Sequence, residues 1–171
     1  ETSYDKHLTG YKNIYQVVTK DADADGEHFT TGVPFPALKY LRQDFPQYQF
    51  TELMANSDIQ VTAKADGVEN KKFYEVDGMF YGEPELLKFF EVKFLYGNAN
   101  VLNDVNSVAL SKSQAEKYFG NWKDVIGRRI NIDNSDYDLQ VAAVFEDVPD
   151  NSDFPFKLVA SYAGFLTHDG N

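Results

Sequence analysis

The chain has 171 residues, with 16 Lys and Arg against 27 Asp and Glu, a formal charge of −11 and a sequence pI near 4.6. A chain of this size buries roughly 70% of its unfolded surface and holds a core without staples, and its negative mean field repels the phosphate backbone, which sets nucleic acid aside as a partner. Hydrophobic residues at 43% and aromatics at 15% exclude a disordered acidic tail, and the lack of cysteine excludes disulfide scaffolds, Cys-ligated zinc, iron–sulfur clusters and thiol catalysis.

The opening Glu1-Thr2-Ser3-Tyr4-Asp5-Lys6-His7 has neither an initiator Met nor a signal-type apolar core, and reads as the start of a piece excised from a longer protein. The β-branched and aromatic run Asn13 to Thr19 predicts a first strand. Asp21 to Gly26 is loop chemistry. Pro36 then suits a first helical turn, and Ala37, Leu38, Leu41 and Phe45 recur at helical spacing up to Pro46, so this helix is expected to pack one face on a sheet. Tyr48 to Ala55 and Ile59 to Lys64 read as strands around a turn at Asn56-Ser57-Asp58. Lys72 to Tyr81 reads as strand on both sides of Asp77-Gly78, which is either a tight hairpin or an interruption.

Glu83-Pro84 opens a short helix through Phe90, followed by a strand over Val92 to Tyr96 and a break at Gly97-Asn98. Val105 to Leu110 is a strand leading into a well-punctuated helix. Ser111 is its N-cap, Gln114 completes a capping box, Ala115, Tyr118 and Phe119 form the apolar stripe, and Gly120 closes it. Period-two alternation from Ile126 to Asp133, a turn at Asn134-Ser135-Asp136 and a strand over Tyr137 to Glu146 predict a hairpin. A last extended piece, Phe154 to Ser161, precedes a polar end. The class is α+β, with mixed sheets and short helices.

Chemistry is sparse. Asp21-x-Asp23-x-Asp25-Gly26 matches the first half of a calcium loop, but the twelfth position, where a bidentate Glu belongs, is Gly32. Asp21, Asp23 and Asp25 are therefore a weak metal candidate beside the plainer reading of a solvated acidic turn. His7, His28 and His168 are scattered, Ser111 and Ser113 lack a nucleophile elbow, and the glycines form no phosphate-binding loop. No residue is assigned a catalytic or cofactor-binding role, and the chain is expected not to be an enzyme or to need a cofactor. Tyr74, Tyr81, Phe89, Phe90 and Phe94 read as core before they read as a binding groove. Trp122, just past a helix, is the better candidate for a partner contact.

Several segments, taken in order, resemble the extracytoplasmic core domain of MacB/FtsX-type ABC transporter permeases, especially those of Bacteroidetes-like genomes. They are Glu1 to His7 followed by Lys12 to Val18, Pro36-Ala37-Leu38 with Asp44-Phe45-Pro46, Asn106 to Gly120, Val125-Ile126-Gly127-Arg128, Val141 to Pro149 with its V-x-x-V-x-x-D-x-P spacing, and Asn151 to Phe156. The resemblance implies a porter-like βαβ subdomain over 1–66 lacking its carboxyl-terminal part, an inserted mixed α/β subdomain over 67–165, and a polar tail over 166–171. It also implies a non-catalytic periplasmic domain of an integral inner-membrane protein, which couples cytoplasmic ATP hydrolysis to work on an envelope substrate. Its partners would be a second permease copy, a cytoplasmic ATP-binding subunit, and a periplasmic adaptor or the substrate. The alternative function is a secreted glycan- or peptide-binding module.

Overall fold

The computed structural model describes residues 8, 10–23, 25–34, 36–64, 69–149 and 152–168. The chain is mixed α+β, as expected, and divides into two compact units, one within Asp5–Thr51 and one within Glu52–Asn171.

In the first unit, β1 (Thr19–Asp23) and β2 (Gly26–Thr30) form an antiparallel hairpin, and α1 (Ala37–Asp44) follows. The strand thus starts at Thr19, where the expectation placed it over 13–19; Tyr11–Asn13 is a single 3-10 turn. The register explains the difference, because Thr19 to Asp23 find partners across a tight turn while residues 14–18 pair with no strand among the described residues. The expected packing of α1 on a sheet is also corrected. None of its residues is buried and Phe45 is 45% exposed, and the sheet found among the described residues of its own unit is a hairpin whose residues are themselves largely exposed.

The second unit contains a nine-stranded sheet. Its strands are β3 (Leu53–Asn56), β4 (Ile59–Ala63), β5 (Lys71–Glu75), β6 (Met79–Gly82), β7 (Phe94–Tyr96), β8 (Ser107–Ser111), β9 (Arg129–Ile132), β10 (Leu139–Phe145) and β11 (Leu158–Ser161), with α2 (Pro84–Phe89), α3 (Lys112–Phe119) and α4 (Tyr162–His168) around it. The order is β3-β6-β11-β8-β10-β9-β4-β5, with β7 also on β10. The β8–β10 and β6–β11 pairs are parallel and the others antiparallel.

That order forces the sheet to curl. β3 lies at one end and β4 next to the other, yet only Ser57 and Asp58 separate them, a span of about 10 Å at most. Asn56-Ser57-Asp58 is therefore a kink within one long strand and not a turn between two. Asp58 supplies it with a left-handed φ of 56°, and its amide donates to Val76 O, just past the end of β5. Asp77-Gly78 is the matching interruption, Gly78 having a φ of 84°; β5 and β6 do not pair with each other and no hairpin forms there. β3 and β4, which precede residue 66, thus share a sheet with the strands after it.

Both faces of the sheet are covered, so the central strands read as nearly continuous apolar runs. Val108, Leu110, Val141, Val144, Leu158 and Ala160 pack on one face with Ala115 and Tyr118 of α3. Ala109, Ala143, Phe145 and Val159 pack on the other with Leu86 and Leu87 of α2 and Phe156. The β9–β10 hairpin forms as expected. α4 takes up residues 166–168 of the expected polar tail, whose remainder, 169–171, lies outside the described residues; Ser161 caps the helix, its hydroxyl accepting from the Gly164 amide at 3.2 Å and donating to Leu102 O at 2.7 Å. No helix among the described residues is long and apolar enough to cross a membrane.

Candidate functional site

The acidic motif lies on the β1–β2 hairpin. Asp23 Oδ1 accepts from the Asp25 amide at 2.8 Å, which fixes the turn, and lies 3.1 Å from His28 Nε2. Lys20 and Glu27 pair across the strands at 2.6 Å. The Asp23 carboxylate is thus engaged in holding the turn, and among the described residues no group of three or more His, Cys, Asp or Glu is arranged to hold a metal ion. His7 lies outside the described residues. His168 stacks on Tyr137 with ring centroids 4.0 Å apart and its Nε2 is 3.0 Å from Asn106 Oδ1, beside a shallow polar depression lined by Asn134, Ser135 and Asp136.

The aromatics read as core divide, and Tyr74 corrects the expectation, because its side chain stands on the solvent face of an edge strand. Tyr81 is buried, Phe90 and Phe94 pack against the second core cluster, and Tyr74 is exposed, its hydroxyl donating to Asp58 Oδ1 at 2.8 Å. Trp122 is half-buried against the first core cluster with the Lys123 ammonium 5.8 Å from its ring. Its indole is part of the packing and only partly available to a partner.

The motifs that looked separate in sequence meet in space around α3. The Ser111 hydroxyl caps the helix by accepting from the Gln114 amide at 3.3 Å, and Gly120 ends it with a φ of 87°. The Gln114 side chain does not return to the cap. Its Nε2 donates to Glu75 Oε1 at 2.7 Å. At the N-terminus of α3, Asp147 Oδ1 accepts from the Ser113 hydroxyl and amide. Burial alone would lift the Asp147 pKa, but the hydroxyl and amide of Ser113, the Ser111 hydroxyl and the charge of Lys112 outweigh it and hold the carboxyl below its ordinary value. At the other end the Arg128 guanidinium lies 5.1 Å from the Phe119 ring centre, and Gly127, with a φ of 82°, donates its amide to Val141 O.

Sequence reasoning missed the Glu75 cluster. Glu75 ends β5, is 7% exposed, and accepts from Gln114 Nε2 at 2.7 Å, Lys117 Nζ at 2.7 and 2.8 Å, and Tyr118 OH at 2.9 Å. The Tyr118 phenol is pushed far above its usual range, first by burial and then by the Glu75 charge. A carboxylate with so complete a set of donors is a structural tie between the edge strand and α3.

No protein-family model and no curated protein matches the chain. Among solved structures, a crystal structure of a domain of a candidate permease protein from Porphyromonas gingivalis superposes with a TM-score of 0.64 at 19% identity, over 85% of this chain. The two share a fold. The chain spans 60% of that permease domain's length. The fold places Ser113, Arg128 and Asp147 around one helix.

Proposed function

We propose that this is an extracytoplasmic domain of a MacB/FtsX-type ABC transporter permease. The observation that carries the reading is the shared fold with the Porphyromonas gingivalis permease domain. It is supported by the way the ordered motifs of the resemblance converge on α3, since Asp147 of the V-x-x-V-x-x-D-x-P run binds Ser113, and Arg128 of the I-G-basic run covers Phe119.

In this reading the domain does no chemistry. A cytoplasmic ATP-binding subunit hydrolyses ATP, the membrane-spanning part of the permease transmits the motion, and the domain works on the periplasmic side of the inner membrane beside a second permease copy, moving or releasing an envelope substrate or engaging an adaptor. A curled sheet covered on both faces is a stiff body suited to transmitting a displacement. The test is deletion of this domain from the full permease, measuring transport and ATPase rate together. Transport should be lost while the isolated ATP-binding subunit keeps its basal hydrolysis. Unchanged transport would overturn the proposal.

A further inference from the structure

β5 is an edge strand with a determinable hydrogen-bonding direction. The Asp133 amide donates to Gln60 O and the Lys64 amide to Arg129 O, so Gln60, Thr62 and Lys64 of the β4 segment face β9. By the alternation of an antiparallel ladder, Ile59, Val61 and Ala63 face β5, opposite Glu75, Phe73 and Lys71. The N–H and C=O groups of Lys72 and Tyr74 therefore point away from the sheet, and among the described residues no strand pairs with that side.

We propose that this edge is a self-recognition surface: two copies of the chain pair antiparallel through Lys71–Glu75 about a two-fold axis at Phe73, joining their sheets. Charge selects the occupant and the register. Lysines on an edge strand ordinarily oppose pairing. Here a parallel in-register pairing would set Lys71 and Lys72 against themselves, and an antiparallel register centred on Lys72 would set that residue against its copy. The register centred on Phe73 avoids both clashes: it sets Lys72 opposite Tyr74, whose hydroxyl donates to Asp58 and holds that carboxylate at the edge, while Lys71 stands opposite Glu75, whose own carboxylate is turned inward to α3. The exposed Tyr74 and Val76, each 62% exposed, supply apolar surface along the same edge. The inference rests on the permease reading for its setting, where it gives the second permease copy a contact surface; the geometry of the edge is independent of that reading.

The native chain has no cysteine, so a single introduced thiol reports the register. Residue 73 and its copy form a non-hydrogen-bonded pair with Cα atoms about 4.5 Å apart, inside disulfide range, whereas the two copies of residue 71 lie about 13 Å apart. Under mild oxidation Phe73→Cys should form covalent dimer at least about ten times faster than Lys71→Cys. Independently, sedimentation equilibrium of the unaltered chain should show mass rising with concentration. Lys72→Pro, which spares the β4–β5 ladder because that N–H points outward, should abolish the rise at unchanged Tm. A chain monomeric at every concentration, an association unaffected by Lys72→Pro, or equal cross-linking at 71 and 73 would overturn the pairing. Each of these leaves the deletion result in the full permease standing, and a transport-neutral deletion leaves the cross-link standing.

Discussion

Ser113 and Asp147, 34 residues apart, are joined twice: the serine hydroxyl donates to Asp147 Oδ1 at 2.6 Å and the serine amide to the same oxygen at 3.1 Å. The carboxylate satisfies a free donor in the first turn of α3 and lies at the positive end of the helix dipole. Asp147→Ala should cost about 1 kcal/mol, read from urea midpoints. The pH dependence follows from the lowered folded pKa. The contribution is present above the unfolded value near 3.8 and disappears as pH falls through the lower folded value. The stability difference between the native chain and Asp147→Asn should therefore shrink on acidification below about pH 4.

The Glu75 tie predicts strong coupling. Glu75→Ala leaves the buried Tyr118 hydroxyl and Gln114 amide without their acceptor and should cost about 3 kcal/mol. Lys117→Met, at a side chain 44% exposed, should cost about 1 kcal/mol or less. The double variant should be less unstable than the sum of the two, as a double-mutant cycle would show. At alkaline pH two phenols act together. Tyr162, pushed up to about 12 first by its own burial and then by the charges of Glu52 and Glu83, and Tyr118 both hold their protons more tightly folded than unfolded. Their stabilisation is full below about pH 10 and falls as pH rises toward the folded values. Absorbance titration at alkaline pH should show both ionising late.

Gly164 lies where α4 crosses the chain at Val105. A Cβ built there would come within 2.0 Å of Val105 O, a backbone atom that cannot step aside. Gly164→Ala should cost about 2 kcal/mol despite the better helix propensity of alanine. Ser161→Ala should cost about 1 kcal/mol through loss of the cap. Thermal unfolding of the two variants would check the order.

On the β1–β2 hairpin, millimolar Ca²⁺ should leave Tm unchanged, whereas Asp23→Ala should loosen the turn by removing the acceptor for the Asp25 amide. Calcium titration in a calorimeter and amide exchange at Gly26 distinguish these outcomes.

What the sequence revealed and what it hid divide by range. The α3 signals are local: a cap, the glutamine three residues after it and a closing glycine all lie within ten residues, so the helix is legible from the sequence. The kink at Asn56-Ser57-Asp58 has the composition of a turn, and only pairing with β6 and β5 converts it into an interruption of one long strand. The last helix was overlooked because Gly164 weakens its propensity, although Ser161 was available as a capping signal. Glu75 could not be singled out, since its donors stand 39 to 43 residues away and 27 carboxylates offer no local distinction among themselves. Ala37, Leu38, Leu41 and Phe45 mark a helical stripe on α1, but periodicity says nothing about what covers it, and none of these residues is buried.

The insertion of β11 between β6 and β8 has a temporal consequence. Residues 158–161 are synthesised after every other strand of this sheet, yet they occupy an interior position and bridge one half of the sheet to the other. Until they arrive, β6 and β8 each present an open edge, and the apolar residues Met79, Phe80, Val108 and Ala109 have no neighbour on that side. The nascent sheet therefore cannot close progressively from its amino end, and its assembly is a late step gated by long-range pairing. Shortening the chain before Leu158 should leave a sticky, half-built sheet in place of a smaller folded one.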